Sequence, residues 1–480
     1  MRSMDREFAP VTFRRRPHAV ASAAPAAYPL LTHPSLSSIL AWQGNRARSV
    51  HEFLRSVWGL AARLPTKRYA INVCKDRYHF AVGFAAALVA RHTNLLPPYR
   101  AEESLHQLAQ SYPDAYVLTD DDQLETALPQ IRVGEWGPSA SGSPENPVIP
   151  ATQIAAIAFT SGSSGFPQAH AKSWGSLVRG AKALGRQFGL ASYPPRTAVG
   201  TVPAQHMYGL ETTVMFPFQW GWSLHGGNSI LPADIRTDLE RLGSTAWLMT
   251  TPFHLSAYLS EQTMLPGLEG IISATMPLAR SVALSAERLW HVPVHEIYGC
   301  TEGGMLASRH TAEEDLWTLC YELRMKQEGD STWVMGGHVG GWLKLTDRIT
   351  LRNRREFMLL GPHDDLVKVA GKRTSFAALN RALRRVNGVQ DGTFYWPDQG
   401  RSGNGRLSAF VVAPGLSRAA ILADLRRRID PVFLPRPLYL VDSLPRTGTG
   451  KLPHEQLKTF AEQFRHSKTE SLKDRPWDTR

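Results

Sequence analysis

Apolar positions along the chain fall into short runs that alternate with helically spaced sets, and this alternation predicts layers of strands and helices. Phe53, Leu54, Val57 and Leu60 recur at helical spacing and predict a helix over 50–62, followed by a strand over 68–74. Residues 79–90 read as a second helix, 105–111 as a third and 115–119 as another strand. Strands separated by helices favour a mostly parallel sheet with helices on its faces. The nearly uncharged run 80–90 lies between Lys75-Asp76-Arg77 and Arg91-His92. It falls short of the ~20 residues of a membrane span, so a buried helix and no transmembrane segment are expected.

The run 154–159 reads as a strand that empties into Thr160-Ser161-Gly162-Ser163-Ser164-Gly165-Phe166-Pro167. Small hydroxylated residues and glycines pack no core. Their hydroxyls and closely approaching backbone amides are suited to cradle an oligophosphate, and a flexible surface loop is the plainer alternative. Ser173 is placed to cap a helix running to Gln187, whose N-terminus is expected near those phosphates. A strand over 198–202 leads into Pro203-Ala204-Gln205-His206-Met207-Tyr208-Gly209, and strand-like runs follow at 247–255 and 270–278. The stretch Glu296-Ile297-Tyr298-Gly299-Cys300-Thr301-Glu302-Gly303-Gly304 then sets a stacking ring, a hydroxyl and a carboxylate able to hold Mg²⁺ in one glycine-flanked turn.

Strand-like composition at 342–347 and 357–360 ends at Gly361-Pro362-His363-Asp364-Asp365, where a domain boundary is expected. A smaller α+β unit follows, with helices at 376–386 and 419–429 and a strand at 407–412. Near its end Leu444-Pro445-Arg446-Thr447-Gly448-Thr449-Gly450-Lys451 presents one lysine on a glycine loop. The expected organisation is a disordered basic arm over 1–27, a large domain over 28–362, a small one over 363–465 and a disordered tail over 466–480. With 480 residues, 43% of them hydrophobic, the chain can bury large cores. Three cysteines without paired spacing point to a reducing compartment, hence the cytoplasm. The net charge of +12 comes with no nucleic-acid recognition motif, so anionic substrates or an acidic protein partner account for it better.

Taken together, the hydroxyl-glycine loop, the Tyr-Gly-x-Thr-Glu turn, Asp347, the Gly-x-x-Asp-Asp break with Gly371 and Arg373, and Gly450-Lys451 resemble the ordered motifs of adenylate-forming enzymes. These are acyl-CoA synthetases, aryl-acid ligases and peptide-synthetase adenylation domains. The resemblance implies an α/β fold: a large N-terminal adenylate-forming domain of mostly parallel sheets and helices, plus a small mobile α+β C-terminal domain. It implies that ATP, with Mg²⁺, activates a carboxylic acid as an acyl-adenylate with release of pyrophosphate, and that a thiol then takes the acyl group. By position, Thr160, Ser161, Gly162, Ser163, Ser164 and Gly165 would hold pyrophosphate. Ser273, Ala274, Thr275, Glu296, Ile297, Tyr298 and Gly299 would surround adenine, with the Tyr298 ring stacked on it. Asp347 would bind ribose, with Arg373 also on the nucleotide, and Glu302 would hold Mg²⁺. Thr301, Glu302, Lys451 and His206 would be catalytic, Lys451 by bridging carboxylate and α-phosphate. Asp364 would be the hinge about which the small domain rotates between the two steps.

This sequence departs from the family pattern at Gln168, where a lysine is usual, and at Pro362, where an arginine is common. Lys172 is the expected substitute for the missing phosphate-binding charge. The segments Cys74-Lys75-Asp76-Arg77-Tyr78-His79-Phe80, Leu95-Leu96-Pro97-Pro98 and Gln168 to Trp174 resemble stand-alone ligases of aryl-polyene and xanthomonadin-type pigment pathways. That resemblance implies an aromatic acid such as a hydroxybenzoate, loaded onto the phosphopantetheine thiol of an acyl carrier protein. The acid pocket is expected from His206, Met207, Tyr208, Phe253, Ser273 and Gly303, although position alone leaves His206 readable as a packed histidine. Arg381, Arg384, Arg385, Arg426, Arg427 and Arg428 would offer a carrier-docking face. The alternatives are a medium-chain or hydroxy fatty acid, coenzyme A as acceptor, and a degenerate nucleotide-binding protein without turnover.

Overall fold

The computed structural model describes residues 26–97, 102–134, 144–160, 168–190, 193–227, 229–242, 244–329, 331–362, 366–369, 372–396, 407–447 and 450–473. Two large sheets dominate it. The first has six strands in the order Gln168–Ser173, Ile154–Thr160, Thr93–Leu96, Tyr69–Asn72, Ala115–Thr119 and Gln130–Arg132. Every pairing is parallel except that of the first two, which form a hairpin. The second sheet has eleven strands. Its centre runs parallel from Ile39–Gln43 through Ser223–His225, Thr197–Gly200, Ala246–Thr250 and Leu268–Ser273 to Val294–Cys300. Gly304–His310, Trp317–Leu319, Glu356–Pro362 and Asp347–Leu351 extend it antiparallel.

The uncharged run of the sequence becomes the helix Arg77–Val89, which packs against strands of both sheets. Burial on opposite faces explains why the run carries no amphipathic stripe. Its first residue ties the second sheet together. The buried Arg77 guanidinium donates to the carbonyls of His225 and Gly227 at 2.9 and 2.7 Å, and to those of Gly200 and Val202, both at 2.9 Å. Burial lowers its pKa to about 10 against the opposing pull of Asp76. Asp76 caps the helix by accepting from the His79 amide, and Asp120 accepts from the Lys75 and Asp76 amides. The Lys75-Asp76-Arg77 motif is therefore architectural, holding strand ends rather than substrate.

Residues 376–464 carry two apolar clusters of their own, around Leu383, Phe394 and Ile421 and around Phe410, Leu457 and Ala461. A small sheet of Asp391–Tyr395, Ser408–Val412 and Leu438–Leu440 lies between the helices Phe376–Arg384 and Arg418–Arg426 and the last helix. That last helix, His454–Lys473, continues past residue 466, where the sequence pattern ends order. Its Gln, Lys and Glu are good helix formers, and polarity alone does not stop a helix. A second correction concerns Ser173. It does cap the helix Trp174–Gln187, accepting from the Ser176 amide at 3.2 Å, but it is the last residue of the six-residue strand Gln168–Ser173. That strand runs antiparallel to Ile154–Thr160 and sets Ser173 opposite Ile154, so at roughly 3.4 Å per residue the helix N-terminus lies at the other end of the hairpin from Thr160. Among the described residues no helix is long and apolar enough to cross a membrane, and Cys74, Cys300 and Cys320 form no disulfide.

Removing the Arg77 staple leaves four carbonyls without their cationic donor. Arg77→Met is expected to cost at least about 3 kcal/mol of stability in urea unfolding, and a loss below about 1 kcal/mol would show that the staple is dispensable.

Candidate active site

The strands Val294–Cys300 and Gly304–His310 are joined by a turn that has almost no room for side chains. A Cβ on Gly299 would overlap the Gly304 carbonyl, and one on Gly304, which has φ +73°, would overlap the Glu211 carboxylate. The Gly303 amide donates to Cys300 Sγ at 3.3 Å. This closure leaves Thr301 and Glu302 half-buried at the C-terminal end of a parallel strand, where open α/β sheets bind ligands.

Tyr298 precedes the turn and is only 8% exposed. Its hydroxyl donates to Asp347 Oδ2 at 2.7 Å, and its ring meets Trp317 and Phe357 at centroid distances of 5.8 and 5.9 Å. Burial and the neighbouring Asp347 raise its pKa, so the phenol stays a donor and fixes the carboxylate. Asp347 opens the edge strand Asp347–Leu351 rather than closing the preceding one. Glu296 lies deeper. At 1% exposure, its carboxylate accepts from the Leu278 amide, the Arg309 guanidinium and the Thr311 hydroxyl. With those donors satisfied, its carboxylate serves the strand, and only its backbone is left for a nucleotide.

Charge gathers around Glu302. His170 Nε2 stands 3.4 Å from Glu302 Oε1, and Lys172 Nζ donates to the Glu302 carbonyl. Lys172 is buried, and desolvation lowers its pKa against the pull of Glu211, Cys300 and Glu302. Glu211 is buried too. Burial lifts its pKa to about 7, opposed by Lys172 and by the Met305 amide, which donates to it at 3.2 Å. Lys172 thus lies beneath the turn, with its ammonium donating to a backbone carbonyl there.

The second lysine arrives from the far end of the chain. Gly450, at φ +80°, lies so close to Met276 and Phe253 that an added Cβ would fall 2.7 Å from Met276 Sδ and 2.8 Å from Phe253 Cβ. The loop is braced by Arg446, which forks onto Asp391 at 2.6 and 2.7 Å and donates to the Gly450 carbonyl at 2.9 Å. Lys451 has exposed surface, yet enough protein crowds its ammonium for desolvation to lower its pKa against the attraction of Glu302. Among the described residues no three His, Cys, Asp or Glu side chains could together hold a metal ion.

The expected acid pocket is assembled only in part. The Tyr208 hydroxyl donates to the Ile272 carbonyl at 2.7 Å and anchors the short helix Met207–Leu210, with His206 before it, against the strand Leu268–Ser273. Phe253 is exposed beside Gly450, and Gly303 faces Leu306 and Leu343. Ser273, at the end of the strand Leu268–Ser273, is fully buried with its hydroxyl unpartnered. Ala274 is also buried, and Thr275 takes φ +79°. Ser161 to Gly165 and Asp364 lie outside the described residues, as do the side chains of Thr160 and Arg373.

The arginines proposed for docking separate. Arg381, Arg385 and Arg428 line an open groove of about 800 Å³ over Ala378, Ala382 and Phe433. Arg384 is drawn inward beside Arg446 and Asp391, while Arg427 and Arg428 fork onto Asp424. Sequence reasoning missed Glu211, His338 and Arg446. Glu211 left one signal, a lone carboxylate inside the otherwise uncharged stretch 207–220, whereas His338 left none.

Residues 68–343 match the family model described as AMP-binding enzyme. The chain is 29% identical over 302 residues to a 4-coumarate–CoA ligase of Rhodobacter capsulatus, covering 62% of this chain and 74% of that one. Its fold is similar to that of the Bacillus subtilis O-succinylbenzoate coenzyme A synthetase solved with ATP and magnesium ion, at TM-score 0.73 and 18% identity over 88% and 97% of the two chains. It is likewise similar to an anthranilate CoA ligase solved with anthranoyl-AMP, at TM-score 0.72 and 15% identity over 92% and 99%. The chain belongs to the AMP-binding enzyme family and is an AMP-forming acid–thiol ligase that uses ATP and Mg²⁺ to adenylate a carboxylic acid.

Proposed function

We propose that the acid is aromatic, of the hydroxybenzoate type, and that the acceptor is the phosphopantetheine thiol of an acyl carrier protein, in the manner of stand-alone cytoplasmic ligases of aryl-polyene pigment pathways. The observation that carries the site assignment is the seating of the Gly450-Lys451 loop against Phe253 and Met276, which brings the Lys451 ammonium into the field of Glu302, beside the Tyr298–Asp347 hydrogen bond. An aromatic substrate is favoured by relatives named 4-coumarate–CoA ligase, by the anthranoyl-AMP complex of a similar fold, and by Phe253 and Tyr208 beside the site. The groove of Arg381, Arg385 and Arg428 favours an acidic protein as the thiol donor.

Bound ATP with Mg²⁺ supplies an electrophilic α-phosphorus and a pyrophosphate leaving group. The protein's task is to bring a second anion, the carboxylate, to that polyanion. Glu302 would hold the divalent ion, the Thr301 hydroxyl would donate to the α-phosphate, Asp347, fixed by Tyr298, would bind the ribose, and the Tyr298 ring would stack on adenine. Lys451 places one positive charge between carboxylate and α-phosphate, which offsets their repulsion where the bond forms. The unit 363–465 then rotates about Asp364, withdrawing Lys451 so that a thiol can approach. Gly450 lets Lys451 reach the site at all, because any side chain there would hold the loop off Phe253 and Met276.

Carboxylate-dependent ATP–pyrophosphate exchange tests the assignment. Exchange with hydroxylated benzoates and cinnamates and none with medium-chain fatty acids is expected, and the reverse would replace the aromatic substrate with an aliphatic one. Lys451→Ala is expected to slow exchange at least 100-fold, corresponding to about 2.7 kcal/mol or more of transition-state stabilisation. A variant that exchanges at the normal rate would remove Lys451 from the mechanism. Gly450→Val, which keeps the lysine but obstructs its approach, should lose exchange while leaving ATP binding within about threefold. Acyl transfer to a carrier protein should fall steeply between low and high salt with exchange unchanged, and salt-insensitive transfer would rule out the arginine groove as the docking site.

A further inference from the structure

Three buried titratable side chains converge on the backbone of residues 302–305, each from a different element. Lys172, on the strand Gln168–Ser173, donates to the Glu302 carbonyl. Glu211 accepts from the Met305 amide at 3.2 Å. His338 Nε2, from the bend after the strand Ser331–Gly336, meets the Met305 carbonyl at 2.7 Å. Both polar groups of Met305 and the carbonyl of Glu302 are thus held by side chains, and Thr301 and Glu302 hang from the bracketed segment. The antiparallel ladder closes the turn at the Gly299–Met305 and Cys300–Gly304 pairs, Gly303 donates to Cys300 Sγ, and the three side chains add to this from outside.

The local structure is shaped to deliver Glu211. Residues Glu211–Met215 form a single π-helical turn between the helical segments Met207–Leu210 and Phe216–Trp220. The Thr212 and Thr213 hydroxyls donate back to the carbonyls of Tyr208 and Gly209 at 2.7 and 2.6 Å, and Pro217 supplies no amide, so the wider turn has internal reasons to form. Gly304 and Gly180 lack the side chains that would occupy the space of the Glu211 carboxylate. A carboxylate forced into such a position needs a return for its desolvation, and the unpaired backbone of an active-site turn provides one.

We infer that Lys172, Glu211 and His338 form a buried polar clamp that positions Thr301 and Glu302 for adenylation, and that Lys172 acts as a positioning residue rather than as a phosphate ligand. The inference rests on the reading of Thr301 and Glu302 as groups that face the α-phosphate and Mg²⁺. Loss of the clamp lets the turn shift, and a displacement of about 1 Å costs on the order of 100-fold in rate.

The test uses exchange kinetics on the full-length variants Lys172→Met, Glu211→Gln, Glu211→Leu and His338→Phe, with MgATP, free Mg²⁺ and the acid varied separately. Lys172→Met and Glu211→Leu should each raise the Mg²⁺ half-saturation and the KM for ATP at least tenfold and lower kcat about 30-fold or more. The KM for the acid should stay within about threefold. Glu211→Gln keeps an acceptor for the Met305 amide and should fall between Glu211→Leu and the parent. If the two residues act through one turn, the Lys172→Met/Glu211→Gln double variant should cost clearly less than the product of the single effects. Folded variants with fewer active molecules but unchanged Mg²⁺ and ATP dependence would overturn the clamp, as would fully multiplicative effects in the double variant. Lys451→Ala separates the two levels of the reading. Normal exchange in that variant would sink the site assignment itself, whereas lost exchange in it beside unaltered Mg²⁺ dependence in Lys172→Met would sink the clamp alone.

Discussion

Everything at this site depends on a turn too tight to pack side chains around itself. Between Cys300 and Gly304 the two strands approach so closely that Gly299 has no room for a Cβ against the Gly304 carbonyl. Such closeness brings a hydroxyl and a carboxylate to the end of a parallel strand, but it consumes the space in which ordinary side chains would pack. The protein stabilises the turn from outside instead, with buried charge. That choice explains why polar side chains such as Lys172 and Glu211 lie in an interior otherwise built from Val, Leu and aromatic rings.

Buried charge recurs as the fold's way of joining distant chain segments. Arg77 links the first layer to the ends of the central strands through four carbonyls, and Arg446 joins the lysine loop to Asp391. In each case a guanidinium serves several acceptors with one planar fork, which a lysine cannot do. At Lys172 a single ammonium serves a single carbonyl, in a field set by Glu211. The charges are costly to bury, and each is returned through backbone groups that would otherwise be unsatisfied.

The approach of Lys451 follows a different logic. Its loop seats against Phe253 and Met276 because Gly450 presents no side chain there, and Arg446 stiffens the loop from behind. The contact is made by a glycine against Met276 and Phe253, which is 45% exposed. That fits a lysine required in one step of a reaction and out of place in the next.

The sequence by itself determined the layer order, because apolar runs of strand and helix length alternate from residue 50 onward and local periodicity is a property of neighbours in the chain. It determined the glycine-flanked Tyr298–Gly304 turn and the Gly450-Lys451 loop for the same reason, since each is a contiguous stretch. It could not determine which buried polar groups meet. Ser173 looked like a cap beside a phosphate loop, and only the hairpin pairing of Gln168–Ser173 with Ile154–Thr160 revealed the strand between them. Glu296 stands in the sequence among the positions expected around adenine, and only the fold shows its carboxylate taken up by Arg309 and Thr311 from the neighbouring strand and its following turn. Lys172, Glu211, Met305 and His338 span more than 160 positions of the chain, and their convergence is a fact of strand order and helix packing. Side-chain partners across such distances are decided by the tertiary structure, because desolvation selects among them only once the chain has closed.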